Sequence, residues 1–141
     1  MPVPISTTSS EIDLSQRFAA TKAVVASPAL AAETIIASLT LNTDEAIISG
    51  VMLRGWAAFT VGTSGTAVTL RIRQTNVSGT VIATTGALTG GVSAAGLVQE
   101  AVLGFDASPA ATGQVYVLTL QVTSGAAAST VSAVELDATI V

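Results

Sequence analysis

The chain has 141 residues, of which half are hydrophobic and 10% charged, with a net charge of −4 and neither cysteine nor histidine. One domain fits that length. The absence of a basic stripe argues against nucleic acid as a ligand, and the absence of thiols and imidazoles excludes disulfides, Cys or His metal ligands and every nucleophile–histidine arrangement. A small surface ordinarily devotes about 25–35% of its positions to charge, so part of this one is expected to be covered by copies of itself or by a larger assembly.

Residues 1–32 hold three of the four prolines, a Ser/Thr cluster and short Ala-rich pieces, with no sustained period of two. Pro2, Pro4 and Pro28 favour extended backbone at and before themselves, and the segment reads as an N-terminal arm. Ser10-Glu11-Ile12-Asp13 resembles a capping box, which allows a short helix from Ser10 with Ile12, Phe18 and Val25 on one face. Met1-Pro2-Val3-Pro4 lacks a cationic stretch ahead of an apolar one and does not read as a secretory signal.

From Glu33 the pattern changes to alternation, and residues 33–141 read as the folded domain. Residues 34–41 place Ile35, Ala37, Leu39 and Leu41 on one side, and Asn42-Thr43-Asp44 is turn chemistry. Val51–Val61 sets Val51, Leu53, Gly55, Ala57, Phe59 and Val61 against Met52, Arg54, Trp56 and Ala58, with both sides expected to be at least partly buried. After Gly62–Gly65, Thr66–Thr75 returns with Val68, Leu70 and Ile72 inward and Thr69, Arg71 and Arg73 outward. A turn at Asn76–Gly79 leads to a short strand over 80–84, and the glycine-rich stretch 86–96 reads as a long connection. Strands follow over 97–105, 114–123 and 129–141, with Tyr116, Leu118, Leu120 and Val122 opposing Val115, Val117, Thr119 and Gln121. In the last strand Val134, Leu136, Ala138 and Ile140 oppose Ala133, Glu135, Asp137 and Thr139.

Seven or eight short strands rich in Val, Ile and Thr, with glycines every ten to fifteen residues, predict an all-β antiparallel sandwich. No strand–helix–strand pattern supports a parallel sheet. The longest uncharged run, residues 107–134, is interrupted by Pro109, Gly113 and Gly125 and by many hydroxyls, so no membrane helix is expected.

The paired segments Val51–Val61 and Ala67–Arg73, followed by Thr80–Ala83 and Tyr116–Val122, look like the jelly-roll domains of phage virion proteins, of the tumour-necrosis-factor-like type. The resemblance covers about residues 33–141. It implies a trimeric, non-enzymatic protein on a virion surface, and the arm resembles the terminal segments with which capsid decoration, or cement, proteins grip neighbouring subunits. On that resemblance the partners are further copies of the chain and a major capsid protein or other virion protein, and Ile5, Ile12, Leu14 and Phe18 are the candidate capsid contacts of the arm. A trimeric receptor-binding or fibre-tip module that recognises a host glycan or surface protein is the alternative, using loops 86–96 and 106–113.

Chemistry is sparsely supplied. Glycoside hydrolysis needs two carboxylates flanking a sugar, and the candidates are Glu100, Asp106, Glu135 and Asp137. Glu135 and Asp137 lie two apart on a strand and share a face about 7 Å from each other. The simpler expectation is that they meet Arg71 and Arg73, also two apart and outward, across strands or across a subunit boundary. Gly86–Gly91 lacks the Lys-Ser/Thr ending and following helix of a phosphate-binding loop. Trp56 and Tyr116 are expected to pack in the core or an interface rather than stack on sugar, and Arg54 beside Trp56 marks that face as a candidate subunit contact. The candidate interface is therefore Arg54, Trp56, Arg71, Arg73, Glu135 and Asp137, with no cofactor and no metal expected.

Overall fold

The computed structural model describes residues 17–21, 32–41, 50–61, 67–86, 96–110, 113–124 and 130–141. They form eight strands: β1 (Arg17–Thr21), β2 (Glu33–Leu41), β3 (Val51–Val61), β4 (Ala67–Gln74), β5 (Val81–Thr84), β6 (Gly96–Asp106), β7 (Gln114–Ser124) and β8 (Thr130–Ile140). Two four-stranded sheets, ordered β1-β8-β3-β6 and β2-β7-β4-β5, are antiparallel throughout. We call them sheets A and B. The chain crosses from one sheet to the other at every connection except the β4–β5 hairpin, which makes the sandwich a jelly roll. No helix among the described residues is long and apolar enough to cross a membrane.

The inward rows are those the alternation singles out. Val51, Leu53, Ala57 and Phe59 of β3, Val68, Leu70 and Ile72 of β4, Tyr116, Leu118, Leu120 and Val122 of β7, and Val134, Leu136 and Ala138 of β8 are all buried in one core. At its centre the sheets approach so closely that a Cβ on Gly55 would lie 2.6 Å from Cδ1 of Leu118. Gly104 of β6 plays the same part at the flank, where a Cβ would lie 2.8 Å from that of Ala83 on β5. These two positions set how near the sheets can come, and so how completely the aliphatic rows lose water.

Three local departures from simple alternation shape the result. A bulge in β2 between Ile35 and Ala37 shifts the register against β7. It puts Ile36, with Ala37, Leu39 and Leu41, in the core in place of the expected Ile35, which is only half-buried. A second bulge lies opposite Ala58 and Phe59, where Ala58 pairs with Ala133 but Phe59 with Val131. The extra residue, Ser132, donates its hydroxyl to the Ala58 carbonyl at 3.2 Å, and the parity change turns Val131 inward to full burial. The third departure is β1. Residues 17–21 lie in the segment expected to be an arm, yet they run antiparallel to β8, with Phe18 paired to Ala138. The helix expected from Ser10 does not extend through them, because strand pairing with β8 takes their backbone hydrogen bonds; residues 10–16, like Val25, lie outside the described residues.

The β4–β5 turn follows the chemistry of its residues. The Asn76 side chain accepts from the Ser78 N–H at 2.8 Å, and Gly79 N–H donates to the Asn76 carbonyl at 3.0 Å. A Cβ on Gly79 would fall 1.6 Å from the Gln74 carbonyl oxygen, so only glycine fits. Where β5 ends, Thr85 continues its work: its N–H donates to the Leu70 carbonyl at 2.9 Å, and its hydroxyl accepts from the Leu70 N–H at 3.0 Å.

One polar network ties the sheets together inside this apolar setting. Asp106 at the end of β6, in sheet A, is buried and accepts from the Tyr116 hydroxyl of β7 at 2.8 Å and the Gln74 amide of β4 at 2.7 Å, both in sheet B. Its other oxygen accepts from the Ser108 N–H at 3.0 Å. Burial first, and then the hydrogen bond to Asp106 and its charge, push the Tyr116 phenol far up, so it remains a donor over the whole working pH range. Tyr116→Phe removes a charge-assisted bond from a buried carboxylate. The expected loss is about 1–3 kcal/mol of unfolding free energy in a denaturant titration, and an unchanged midpoint and slope would contradict the role assigned to this pair.

Candidate functional site

Because the inner faces of both sheets are largely aliphatic, most charged side chains of the described residues, Glu100 and Asp106 of β6 apart, lie on the two outer faces, on opposite sides of the sandwich. On sheet A, Arg54 of β3 lies in register with Asp137 of β8 on one side and Leu103 of β6 on the other. Its guanidinium bridges the two carboxylates of β8, contacting Asp137 and reaching Glu135 Oε1 at 3.0 Å. Hydrogen bonding to Asp137, followed by that residue's charge, raises the Arg54 pKa further above its already high value. The spacing expected for Glu135 and Asp137 thus holds, with both on one face, but one arginine serves both.

On sheet B, Arg71 and Arg73 of β4 converge on Glu33 of β2 by reaching across β7. Arg73 makes a forked contact, Nε to Oε1 at 2.6 Å and Nη2 to Oε2 at 2.9 Å. Arg71 Nη1 stands 3.4 Å from Oε2 and donates to Gln121 Oε1 at 2.7 Å. Beneath them the wholly buried Thr119 donates its hydroxyl to Glu33 Oε1 at 2.5 Å, and Arg73 Nη1 also donates to the Gly79 carbonyl at 2.9 Å. The three strands β2, β7 and β4 are clamped by this cluster, in which all three charged side chains are largely shielded from water.

The expected pairing of Glu135 and Asp137 with Arg71 and Arg73 within one protomer is therefore corrected. β8 and β4 belong to different sheets, and their outward rows point away from each other. Alternation assigned each residue correctly to an outer row; the crossing of the chain between sheets decides which outer row that is. Glu33 was not among the expected site residues. Its place as the first residue of the alternating region, offset across a strand from two outward arginines, is the signal that was there to be used. Asp106 was expected only as a candidate acid, whereas it serves the Tyr116 network; an inward tyrosine needs a partner for its hydroxyl.

Around Arg54 the outer face of sheet A is unusually apolar. Leu103, Phe105 and Met52 are 69%, 47% and 45% exposed, and Trp56 is half-buried beside them. Two shallow depressions flank the arginine. One of about 260 Å³ is lined by Met52, Leu53, Leu103, Asp137 and Thr139, and one of about 400 Å³ by Trp56, Ala101 and Glu135. The geometry thus brings Arg54, Trp56, Glu135 and Asp137 together and leaves Arg71 and Arg73 on the far side. Glu100 is half-buried at an inward position of β6. Among the described residues no three of His, Cys, Asp and Glu converge as a metal site would require. Of the expected arm contacts, Ile5, Ile12 and Leu14 lie outside the described residues, and Phe18 is described only as a backbone position of β1. The arrangement is an apolar field around a central ion bridge.

The fold defines a class, the antiparallel jelly-roll sandwich, and comparison with solved structures finds the same architecture in virus shells. The chain is similar to part of a chain in the structure of the infectious bursal disease virus Gx strain, at 16% identity and a TM-score of 0.54, over 89% of this chain and 32% of that one. It is also similar to VP2 of infectious bursal disease virus in a subviral particle, at 17% identity and a TM-score of 0.55, over 89% of this chain and 33% of the other. VP2 in derived T=1 particles gives 16% identity and a TM-score of 0.55. The chain thus spans about a third of the length of those proteins. At such identities the likeness is one of fold. No family model and no curated protein matches the sequence.

The Glu33 cluster makes a pH prediction. Burial alone would raise the Glu33 pKa, but hydrogen bonds from Arg73 and Thr119 and the charges of Arg73 and Arg71 outweigh it and hold it below the usual value of about 4.5. A depressed folded pKa contributes stability that is present above the unfolded value, near 4.3, and is lost as pH falls through the folded value. Glu33→Gln should therefore destabilise the protein at pH 7 and narrow its difference from the unaltered protein as pH drops below about 4. Parallel stability curves for the two from pH 7 to pH 2.5 would contradict the assignment.

Proposed function

We propose that the protein is a non-enzymatic virion structural protein, a homotrimeric decoration protein that binds the outer surface of a capsid shell and stabilises it. The single observation that carries this reading is the outer face of sheet A, where Met52, Leu103 and Phe105 stand exposed around the Arg54 bridge. An apolar field of that kind on a protein so poor in charge favours coverage by protein. The fold shared with virus-shell proteins supports a shell as the setting, and the resemblance of the N-terminal segment to cement-protein arms supports a tethering role for residues 1–16, with Ile5, Ile12 and Leu14 as contacts to a major capsid protein. Trimerisation presents several weak arms at once, so that avidity rather than any one contact holds the protein on the particle.

The boundary of the arm matters for the test, because β1 belongs to the sandwich. Deleting residues 1–16, which keeps β1, should leave a folded trimer that no longer co-sediments with purified particles. Co-sedimentation equal to that of the full chain would refute the role of the arm, and loss of the trimer would show that residues 1–16 act in assembly instead.

A further inference from the structure

We propose that β6 is a homotypic docking edge, and that a second copy of this chain pairs with it antiparallel about a two-fold axis at Ala101, joining two four-stranded sheets into one of eight strands. This goes beyond the shell-binding role and does not depend on it. Within a trimeric assembly it is the contact that links one trimer to the next.

Unpaired strand edges are templates for further pairing, and proteins ordinarily shorten, bend or charge them. Three of the four edges here are treated so or are short: β1 has five residues, β5 has four, and β2 is bent by its bulge. β6 differs. It runs for eleven residues in unbroken register with β3, contains no proline or lysine, carries a single inward charge at its middle, Glu100, and on its other side has no strand neighbour among the described residues. The same strand carries Leu103 and Phe105, two of the most exposed large apolar side chains of the described residues. A bare edge and an uncovered apolar row therefore coincide on one element.

The sequence of β6 selects its own copy as the occupant. With the axis at Ala101, the smallest outward side chain of the strand lies opposite its own copy. Leu103 falls opposite Gln99 of the second copy, Phe105 opposite Leu97, and Glu100 opposite Val102. The remaining acid, Asp106, already accepts hydrogen bonds from Tyr116, Gln74 and Ser108 within its own protomer and falls opposite Gly96. Moving the axis by one residue to position 100 sets Glu100 directly against Glu100, and directly opposed like charges are destabilising. Glu100 thus acts as a register selector. Pairing over the whole strand would add about ten backbone hydrogen bonds and extend the apolar outer face of sheet A continuously across both copies.

The chain contains no cysteine, so an introduced one reports position without background. Directly opposed residues bring their Cβ atoms to about 4.5–5.5 Å, close to what a disulfide spans. Residues 99 and 103 would each lie four strand positions, about 13 Å, from their own copies. Positions 99, 101 and 103 are exposed, so the variants should fold, which far-UV circular dichroism checks. Under mild oxidation of the purified protein, Ala101→Cys should give a covalent dimer on a denaturing gel, whereas Gln99→Cys and Leu103→Cys singly should not. The double variant Gln99→Cys/Leu103→Cys should cross-link through the 99–103 pair. No dimer from Ala101→Cys, or equal yields from all three single variants, would overturn the proposal. Both readouts are obtained without particles, so a failure here is distinct from a failure to bind a shell.

Discussion

The structure depends on the removal of two aliphatic sheet faces from water at a separation that glycine makes possible. Leu118 lies over Gly55 at the middle of the sandwich, and the β5 side chains Ile82 and Ala83 lie over Gly104 at its flank. Any side chain at those positions would hold the sheets apart and open voids along the Leu, Ile and Val rows, where each buried side chain contributes about 1.5–3 kcal/mol. Every other feature is a consequence of that close approach. Among the described residues few charges stand at inward positions: Glu100 is half-buried there, and the buried Asp106 accepts from Tyr116, Gln74 and Ser108, while Glu33, Arg54, Arg71, Arg73, Glu135 and Asp137 lie on the two outer faces.

That scarcity of charge explains why the outer faces differ. On sheet B one glutamate and two arginines are drawn together over Thr119 and lock β2, β7 and β4 side by side. On sheet A the bridge from Arg54 to Glu135 and Asp137 fastens β3 to β8, but nothing comparable reaches β6. Its outward row sets the apolar Ala101, Leu103 and Phe105 beside Gln99, and the same strand has an open edge among the described residues. The charges that fasten β2, β7 and β4 on one sheet and β3 and β8 on the other leave the outermost long strand of sheet A with no charged residue in its outward row. In this bridge the Arg54 side chain is half-exposed while that of Asp137 is buried, and water at the arginine end weakens the attraction.

Much of this was legible in the sequence. Strict alternation in residues 51–61, 67–73 and 114–122 named the core rows, and glycine and asparagine placed the turns. Alternation fails wherever the backbone changes parity, so Ile36 and Val131, turned inward by bulges, could not be recognised as core. β1 was hidden for another reason. Arg17-Phe18-Ala19-Ala20-Thr21 is five residues long with two alanines in the middle, and it is a strand because β8 presents an edge to it, not because of its own pattern. The ion pairs were mis-matched at the same level: a strand pattern says inward or outward, whereas only the order of strands in each sheet says which outward residues share a face. The apolar excess, by contrast, was visible from composition alone, and the structure localises its clearest expression to Met52, Leu103 and Phe105.

The central claim is that this outer face of sheet A, β6 included, is built to be covered by protein. Sedimentation equilibrium over a wide concentration range, on the unaltered protein and on a Leu103→Lys/Phe105→Lys variant, tests it most directly, since both side chains project from the fold and can be replaced without entering the core. Concentration-dependent association of the unaltered protein that is lost in a folded variant is the predicted result. A single protomer at every concentration, or association indifferent to the two lysines, would contradict it.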